Sequence, residues 1–268
     1  MAIQISGTQV ISNSRGLTNI ASVDATTTAT LNAAGIGAGD LPPAPNWGSP
    51  TATVSSSGSW SKPGSIANTD WVVFYLVGGG GGVGEYKSGG GGASAVIIAL
   101  KGSLIPSSVP MTIGVGGIGI RDMTNGNGTA TTINISGTVL SAPGGKMIVG
   151  AGGSYPPDAG LWSLLSDGTD LTVILYGNDT SATGAPATWA NDGGPSINNA
   201  IFGGAAGAAS SFSYAAAPGG VSTYAGNGGN GLPSPAPGAV PGGGAGGSSN
   251  PAANPGTSGG AGNVRIYY

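Results

Sequence analysis

The 268-residue chain contains no cysteine and no histidine, and these two absences exclude a large part of protein chemistry. Without cysteine there is no disulfide framework and no thiolate metal site, so stability must come from packing and assembly. Without histidine the commonest general base and metal ligand is missing. We therefore predict that the protein is not an enzyme and that it uses no cofactor and no metal ion.

Charge is also scarce, with seven Lys plus Arg and ten Asp plus Glu giving a net charge of −3. The basic residues form no cluster, which argues against a nucleic-acid partner. The longest apolar run covers residues 71–77, far short of a membrane span. The opening residues 1–4 have neither the basic nor the apolar region of a signal peptide. The sequence predicts a protein made in the cytoplasm and not embedded in a membrane.

Glycine, in contrast, is abundant, with 56 residues that do not follow the Gly-X-Y period of collagen. Five glycines at 78–82 directly follow the apolar run 71–77, and four more at 89–92 precede the apolar residues 95–100. Because buried strands would fix both ends of such runs, we expect them to be ordered and not to be flexible linkers. Glycine loses the most backbone entropy on folding, so a fold that orders many glycines must gain something that only glycine permits. We expect this to be close approach between backbones.

Short apolar and β-branched runs bounded by glycine or proline predict strands. These runs are Thr51 to Val54, Trp71 to Val77, Ala95 to Leu100, Pro110 to Val115, Thr131 to Ile135, Val139 to Ala142 and Val264 to Tyr267. Residues 125–129, Asn-Gly-Asn-Gly-Thr, fit a hairpin turn into the next strand. Because long helical periodicity is missing, we predict an all-β fold with a β-sandwich-like domain of short strands.

Beyond residue 141 the chain becomes increasingly rich in glycine blocks separated by Pro, Ser, Asn or Tyr. We predict that these blocks form a bundle of polyproline or polyglycine II helices, which have three residues per turn and no internal hydrogen bonds. Their N–H and C=O groups would pair between helices, and the residues between blocks would form loops at the two ends. A disordered low-complexity tail is the alternative, against which the apolar residues 264–268 argue.

The composition of residues 1–45 predicts that they form a separate unit. They are rich in Ser, Thr, Asn and Ala, with spaced apolar residues that cannot give a monomer a core. We expect a thin fibrous stem of short strands that requires identical neighbours, followed by a stiff Pro-rich break at 41–46. Residues 46–268 then form the glycine-rich domain.

Two stretches resemble bacteriophage tail-fibre proteins. Residues 5–20, Ile-Ser-Gly-Thr-Gln-Val-Ile-Ser-Asn-Ser-Arg-Gly-Leu-Thr-Asn-Ile, resemble a stem element that recurs in these fibres. The ordered series 58–63, 71–73, 78–82, 111–117 and 140–145 resembles the glycine-rich tip domain of tail fibres and adhesins, and residues 262–267 are similar to its closing strand.

The resemblance implies a homotrimeric tail fibre of the virion, made in the host cytoplasm. Its N-terminus would bind other virion tail proteins, and its tip would bind a bacterial surface receptor, either a polysaccharide or an outer-membrane protein. Two alternatives stay open. One is a structural glycine-bundle protein of the head-decoration or ice-binding type, and the other is a polysaccharide depolymerase whose acid and base would come from Asp158, Asp167 and Asp170.

Residues 154–202 depart from the tip pattern, because they contain few glycines and five Asp but no Lys or Arg. We refer to them as the insert. Aromatic faces beside carboxylates suit saccharide binding, and the same set could meet a basic protein loop. The predicted receptor-binding residues are Tyr155, Asp158, Trp162, Asp179, Trp189 and Asp192 in the insert, with Tyr86 and Tyr224 outside it. The apolar residues 161–162 and 171–175 also fit a strand pair with a core of its own.

Overall fold

The structure is a computed structural model, and it describes residues 3–5, 8–11, 49–83, 89–119, 126–146, 171–177, 203–205, 207, 218–231, 235–247 and 257–268. The chain divides into two compact units, Met1–Pro43 and Ala44–Tyr268. In the first unit, strands β1 (Ile3–Ile5) and β2 (Thr8–Ile11) form an antiparallel pair. The trimeric state expected of this stem stays a prediction.

The second unit contains two antiparallel sheets. Its strands are β3 (Ala52–Val54), β4 (Gly58–Ser61), β5 (Trp71–Val77), β6 (Ala95–Lys101), β7 (Ser108–Thr112), β8 (Thr131–Ile135), β9 (Thr138–Ala142), β10 (Leu171–Gly177) and β11 (Asn263–Tyr267). One sheet has the order β10-β6-β5-β11-β3 and the other has the order β4-β7-β8-β9. In the described part of the chain the only helix is a single 3-10 turn at Gly102–Leu104. The prediction of an all-β fold is therefore confirmed.

Side chains of both sheets form one hydrophobic core. Strand β5 contributes Val72, Phe74 and Leu76, all of which are fully buried. The Phe74 ring meets the Trp60 ring of β4 edge to face, with their centroids 5.7 Å apart. Such an arrangement of aromatic rings adds stability beyond the apolar area that it buries. The core fixes the two sheets against each other.

The opposite face of the five-stranded sheet is also buried. Its cluster contains Val73, Tyr75 and Val77 from β5, together with apolar residues of β6 and Tyr267 of β11. Since side chains alternate between the faces of a strand, a strand that is covered on both faces must be apolar at every position. This requirement explains the continuous apolar run at 71–77.

The tight hairpin lies in a different place from the predicted one. Strands β8 and β9 are joined by Ser136 and Gly137, whose φ angles of 50° and 93° are both positive. Two consecutive positive φ angles are typical of the primed turns that match the twist of a hairpin. The Asn134 side chain supports the turn by accepting a hydrogen bond from the Gly137 N–H at 2.9 Å. Residues 126–129 of the predicted turn run alongside other glycine segments, and residue 125 lies outside the described residues.

Strand β10, within the insert, extends the main sheet. It pairs antiparallel with β6, with Leu171 opposite Leu100 and Gly177 opposite Ala95. Residues 171–175 were predicted to pair with 161–162, and the structure shows that this strand pairs with β6 on one of its edges. Residues 161–162 lie outside the described part of the chain.

Six strands continue directly into glycine-rich segments at the same end of the two sheets. They are β5, β6, β7, β8, β9 and β11, which meet those segments at residues 78, 94, 113, 130, 143 and 262. At the other end of the sheets, Thr51 precedes β3, and its hydroxyl accepts a hydrogen bond from the Tyr268 N–H at 3.3 Å. The glycine-rich segments therefore project from the sheets on the side away from residues 51 and 268.

Candidate functional site

The residues that follow β5 form the first central segment, 78–83, which is buried along its whole length. Its six N–H groups all donate hydrogen bonds to backbone carbonyls outside the segment, at 2.7 to 3.3 Å. In chain order the acceptors are Ser94, Thr129, Gly260, Gly91, Gly126 and Thr257. Residues three apart thus donate to the same neighbouring segment, at acceptors that are also three residues apart. The hydrogen-bond pattern has a period of three.

The carbonyls of the same segment point to other neighbours. Gly79, Gly80 and Gly81 accept from the N–H groups of Gly145, Gly117 and Ala245 respectively, at 2.8 to 3.0 Å. Six segments therefore surround residues 78–83. In order they are 89–94, 143–146, 126–130, 113–119, 257–262 and 241–247. Each segment in this order is hydrogen-bonded to the next and the last to the first, so the ring is closed.

Residues 241–247 form a second central segment with six neighbours of its own. In order these are 78–83, 89–94, 203–207, 225–231, 235–239 and 257–262, again with each bonded to the next and the last to the first. The two rings share members, and together they contain ten segments, which we call the glycine bundle. Hydrogen bonds between main chains join its segments to one another.

Packing explains why the central positions are glycine. A Cβ atom placed on Gly80 would lie under 3.0 Å from the backbone of Gly242 and Gly243. No real side chain tolerates such a distance, and neither backbone can retreat without losing its hydrogen bonds. A Cβ on Gly58 or Gly64, outside the bundle, would meet nothing within 4 Å. Gly80 therefore has to be glycine for close approach, whereas space alone does not require glycine at positions 58 and 64.

Thr131, the first residue of β8, closes the junction between sheets and bundle. It is fully buried, and its hydroxyl donates to the Val77 carbonyl at 2.6 Å while accepting from the Gly114 N–H at 3.0 Å. Both backbone groups lie where a strand ends and a glycine segment begins. A buried polar side chain with both hydrogen bonds made fixes the geometry of such a junction.

The end of the glycine bundle away from the sheets, which we call the far end, is where the segments are joined to one another. Hydrogen bonds place the last residues at a common level, for example Val83 with Thr257 and Gly90 with Gly207. The chain departs from the described bundle at this end six times. The intervening residues, which we call the links, are 84–88, 120–125, 147–170, 208–217, 232–234 and 248–256.

The insert is not anchored at one place. Residues 147–170 leave the bundle at its far end but rejoin the described chain at Leu171, which lies opposite Leu100 near the other end of the sheet. Residues 178–202 begin after Gly177, opposite Ala95, and end before Gly203 at the junction of sheets and bundle. Strand β10 thus separates the predicted receptor residues of the insert into two groups.

Most predicted receptor residues lie outside the described residues. They are Tyr86, Tyr155, Asp158, Trp162, Asp179, Trp189 and Asp192. Tyr224 is described, and it is half-buried against the second hydrophobic cluster. Its backbone carbonyl accepts a hydrogen bond from Arg265 Nη1. Its assignment to receptor binding stays a prediction.

Arg265 of β11 places a positive charge beside the tyrosines of the second hydrophobic cluster. Its guanidinium lies 5.6 Å from the centroid of the Tyr75 ring. Burial raises the pKa of the Tyr75 hydroxyl, and the positive charge of Arg265 partly opposes that rise. Burial also raises the pKa of Tyr267, again against the effect of Arg265. Both tyrosines are therefore held in their neutral form in the folded protein.

Sequence reasoning missed the two asparagines that bind the edge of the bundle. Asn227 Oδ1 accepts from the Ser222 N–H at 2.9 Å, and Asn230 Oδ1 accepts from the Gly219 N–H at 3.1 Å. The asparagines are three residues apart and so are their donors, which continues the period of the bundle through side chains. The spacing of asparagines in residues 226–231, Gly-Asn-Gly-Gly-Asn-Gly, is the signal that could have found them.

Among the described residues, no three or more Asp or Glu side chains come together in a way that could hold a metal ion. The same residues include no helix with the length and apolar character needed to cross a membrane.

A family model described as a glycine-rich domain matches residues 52–268, which includes both sheets and the whole glycine bundle. No curated protein matches the chain.

Proposed function

The chain belongs to the glycine-rich domain family, and we propose that it is the receptor-binding fibre of a bacteriophage tail. In this proposal the protein attaches the virion to the bacterial surface by non-covalent recognition. Residues 1–45 form the trimeric stem that binds other tail proteins, and residues 46–268 form the tip. The resemblance of residues 5–20 and of the series from 58 to 145 to tail-fibre elements supports this assignment.

The observation that carries the proposal is the placement of the links. The chain leaves the glycine bundle six times at the far end, which is the end away from Thr51 and Tyr268. A rigid scaffold that gathers its connecting residues on one side suits recognition, because those residues can vary without changing the scaffold. The receptor contacts are accordingly assigned to the links. Residues 178–202 of the insert attach near the junction of sheets and bundle, and they are assigned to the receptor on their aromatic and carboxylate content alone.

We also propose that the ten segments of the bundle are polyglycine II helices. Two observations support this. Hydrogen-bond partners recur every third residue, as expected of a helix with three residues per turn and no internal hydrogen bonds. In addition, the only described glycines with positive φ are Gly137 and Gly242, so the other bundle glycines keep a backbone sign compatible with that helix.

The function is tested by adsorption. Purified full-length protein should bind host cells and block infection by the intact virus, because it occupies the receptors that the virion needs. Release of sugar fragments from the host envelope would support the depolymerase alternative instead. Failure of the folded trimer to bind any cell that the virus infects would contradict the proposal.

The site is tested by alanine substitution in the insert. Trp189→Ala, Tyr155→Ala and Asp179→Ala should each weaken adsorption while the melting temperature stays within a few degrees, because the sequence predicts that these side chains are exposed. Val139→Ala provides a control, since Val139 is 51% exposed on β9 and is not among the predicted receptor residues. If the insert variants unfold the protein yet leave residual binding intact, recognition lies elsewhere, with Tyr86 and Tyr224 the next candidates.

A further inference from the structure

Asn227 and Gly228 form an Asn-Gly sequence within the glycine bundle. In such a sequence the glycine nitrogen can attack the asparagine Cγ, because glycine has no Cβ to hinder the approach. The new N–Cγ bond closes a succinimide ring as the side-chain nitrogen leaves as ammonia. Water then opens the ring at either carbonyl, giving aspartate or isoaspartate. In isoaspartate the main chain runs through Cβ and Cγ and is longer by one carbon.

The folded protein holds both reacting groups in place. Asn227 Oδ1 accepts from the Ser222 N–H at 2.9 Å, while the Gly228 N–H donates to the Gly220 carbonyl, also at 2.9 Å. The backbone carbonyl of Asn227 accepts from the Ala239 N–H at 2.9 Å. The Gly228 nitrogen therefore cannot reach Cγ of Asn227 while the bonds to Ser222 and Gly220 hold the two reacting groups in place.

The hydrogen bonds to the Asn227 side chain and to the Gly228 N–H are both made by one segment, residues 218–222. This segment lies outside the two closed rings, at the edge of the bundle. The Ser222 hydroxyl attaches it by donating to the Gly203 carbonyl at 2.7 Å, and Asn230 accepts from Gly219 at 3.1 Å. Edge segments with few partners open before the rest of a structure does. Asn227 is exposed, so water has access as soon as the segment leaves.

Lengthening the main chain at Asn227 would also break the period of the bundle. Gly226 and Gly229 donate to Pro241 and Gly244, at 2.7 and 2.8 Å, and both pairs are three residues apart. One extra backbone carbon between Gly226 and Gly229 moves one of these donors out of register with the second central segment.

We propose that Asn227-Gly228 is a deamidation site that the folded bundle blocks, that opening of residues 218–222 exposes it, and that the isoaspartate formed there prevents the bundle from re-forming. Local opening thereby becomes irreversible at this position.

The blocking of deamidation by the folded bundle is tested by ageing the full-length protein at mildly alkaline pH. One sample is kept folded and the other is kept in denaturing guanidinium chloride, and deamidation in each is measured by peptide mapping with mass spectrometry. Peptide mapping separates this site from the other Asn-Gly pairs. Deamidation of Asn227 should be slower in the folded protein by about tenfold or more, because the rate follows the population of the open form. Ser222→Ala should raise the rate in the folded protein only. Equal rates in folded and denatured wild-type protein would overturn the proposal.

The claim that isoaspartate at position 227 prevents the bundle from re-forming is tested by refolding. Chains aged in denaturant are returned to native conditions, and the folded fraction is isolated and mapped. Isoaspartate at position 227 should be depleted from that fraction, whereas Asn227→Asp, which keeps the backbone length and both acceptor oxygens, should refold with the wild-type yield. Equal recovery of isoaspartate-containing chains, or failure of Asn227→Asp to refold, would show that backbone length at this position is not what matters.

Discussion

At the scale of single residues, Gly80 gives the sharpest test of the bundle. Gly80→Ala should destabilise the glycine-rich domain by about 3 kcal/mol or more, because the added Cβ overlaps backbone that is held on every side. Gly80→Val should abolish folding of the domain for the same reason. The measurement is thermal or denaturant unfolding followed by circular dichroism.

Gly64→Ala is the matched control for Gly80, since a Cβ at Gly64 would meet nothing within 4 Å. The free energy of unfolding of this variant should stay within about 0.5 kcal/mol of wild type. If the two alanine variants are equally stable, residues 78–83 are not packed in the way described.

The buried tyrosines predict a loss of stability at alkaline pH. In the unfolded chain Tyr75 and Tyr267 ionise near their ordinary pKa of 10.0, whereas burial raises the pKa of each in the folded protein. Above that pH the unfolded state therefore binds fewer protons, so the free energy of unfolding falls as pH rises, and below it the contribution is fully present. Denaturant unfolding at a series of pH values measures the slope. In Tyr75→Phe the slope should be smaller, and an unchanged slope would contradict the assignment.

At the scale of elements, β11 holds the five-stranded sheet together between β5 and β3. Val264→Ala should lower the free energy of unfolding by about 2 kcal/mol, because Val264 is fully buried in the core between the sheets. Val139→Ala makes the same chemical change on β9 at a half-exposed position and should cost less than about 0.5 kcal/mol. Equal costs in equilibrium unfolding would show that β11 is not a central strand.

Amide hydrogen exchange tests the two central segments as elements. The N–H groups of residues 78–83 are buried, and each donates to a backbone carbonyl. They should exchange only through global unfolding, whereas residues 218–222 at the edge should exchange faster by about 100-fold or more. Mass spectrometry of the corresponding peptides makes the comparison. Rapid exchange at 78–83 would support the alternative of a disordered low-complexity chain.

A strand could be predicted from the sequence where a continuous run of apolar or β-branched residues indicated that the strand is buried. Runs such as 71–77 and 131–135 identified β5 and β8 at their observed bounds. Strand β4 was missed because, of Gly58, Ser59, Trp60 and Ser61, only Trp60 faces the core. The predicted strand over 110–115 was displaced for a different reason. Strand β7 ends at Thr112, and residues 113–115 already belong to a glycine segment of the bundle.

At the scale of the whole molecule, the assembly is a prediction that sedimentation can test. Residues 1–45 have too little apolar content for a core of their own. We therefore expect the intact chain to sediment as three copies in a parallel homotrimer. Residues 46–268 expressed alone serve as the comparison, since they lack the stem. A folded monomer of the intact chain at nanomolar concentration would contradict this expectation.

The site could be predicted from the sequence only in outline. Glycine runs beside buried strands indicated close backbone packing, but the neighbours of each run could not be read from the runs themselves. Gly80 and Gly260 are hydrogen-bonded although 180 residues separate them, and no local pattern encodes such a pairing. The insert looked like one unit for a similar reason, because its division by β10 depends on pairing with the distant strand β6.

The role of residues 257–268 has a consequence for synthesis of the protein. They supply a segment that belongs to both rings of the glycine bundle and then the strand between β5 and β3. While the ribosome still holds these residues, β5 has no partner on one side and both rings have a gap. Contacts between such distant parts of a chain form slowly, and unpaired strand edges invite association between chains. The domain therefore cannot complete its five-stranded sheet or either ring until residues 257–268 are in place, and one edge of β5 stays unpaired until then.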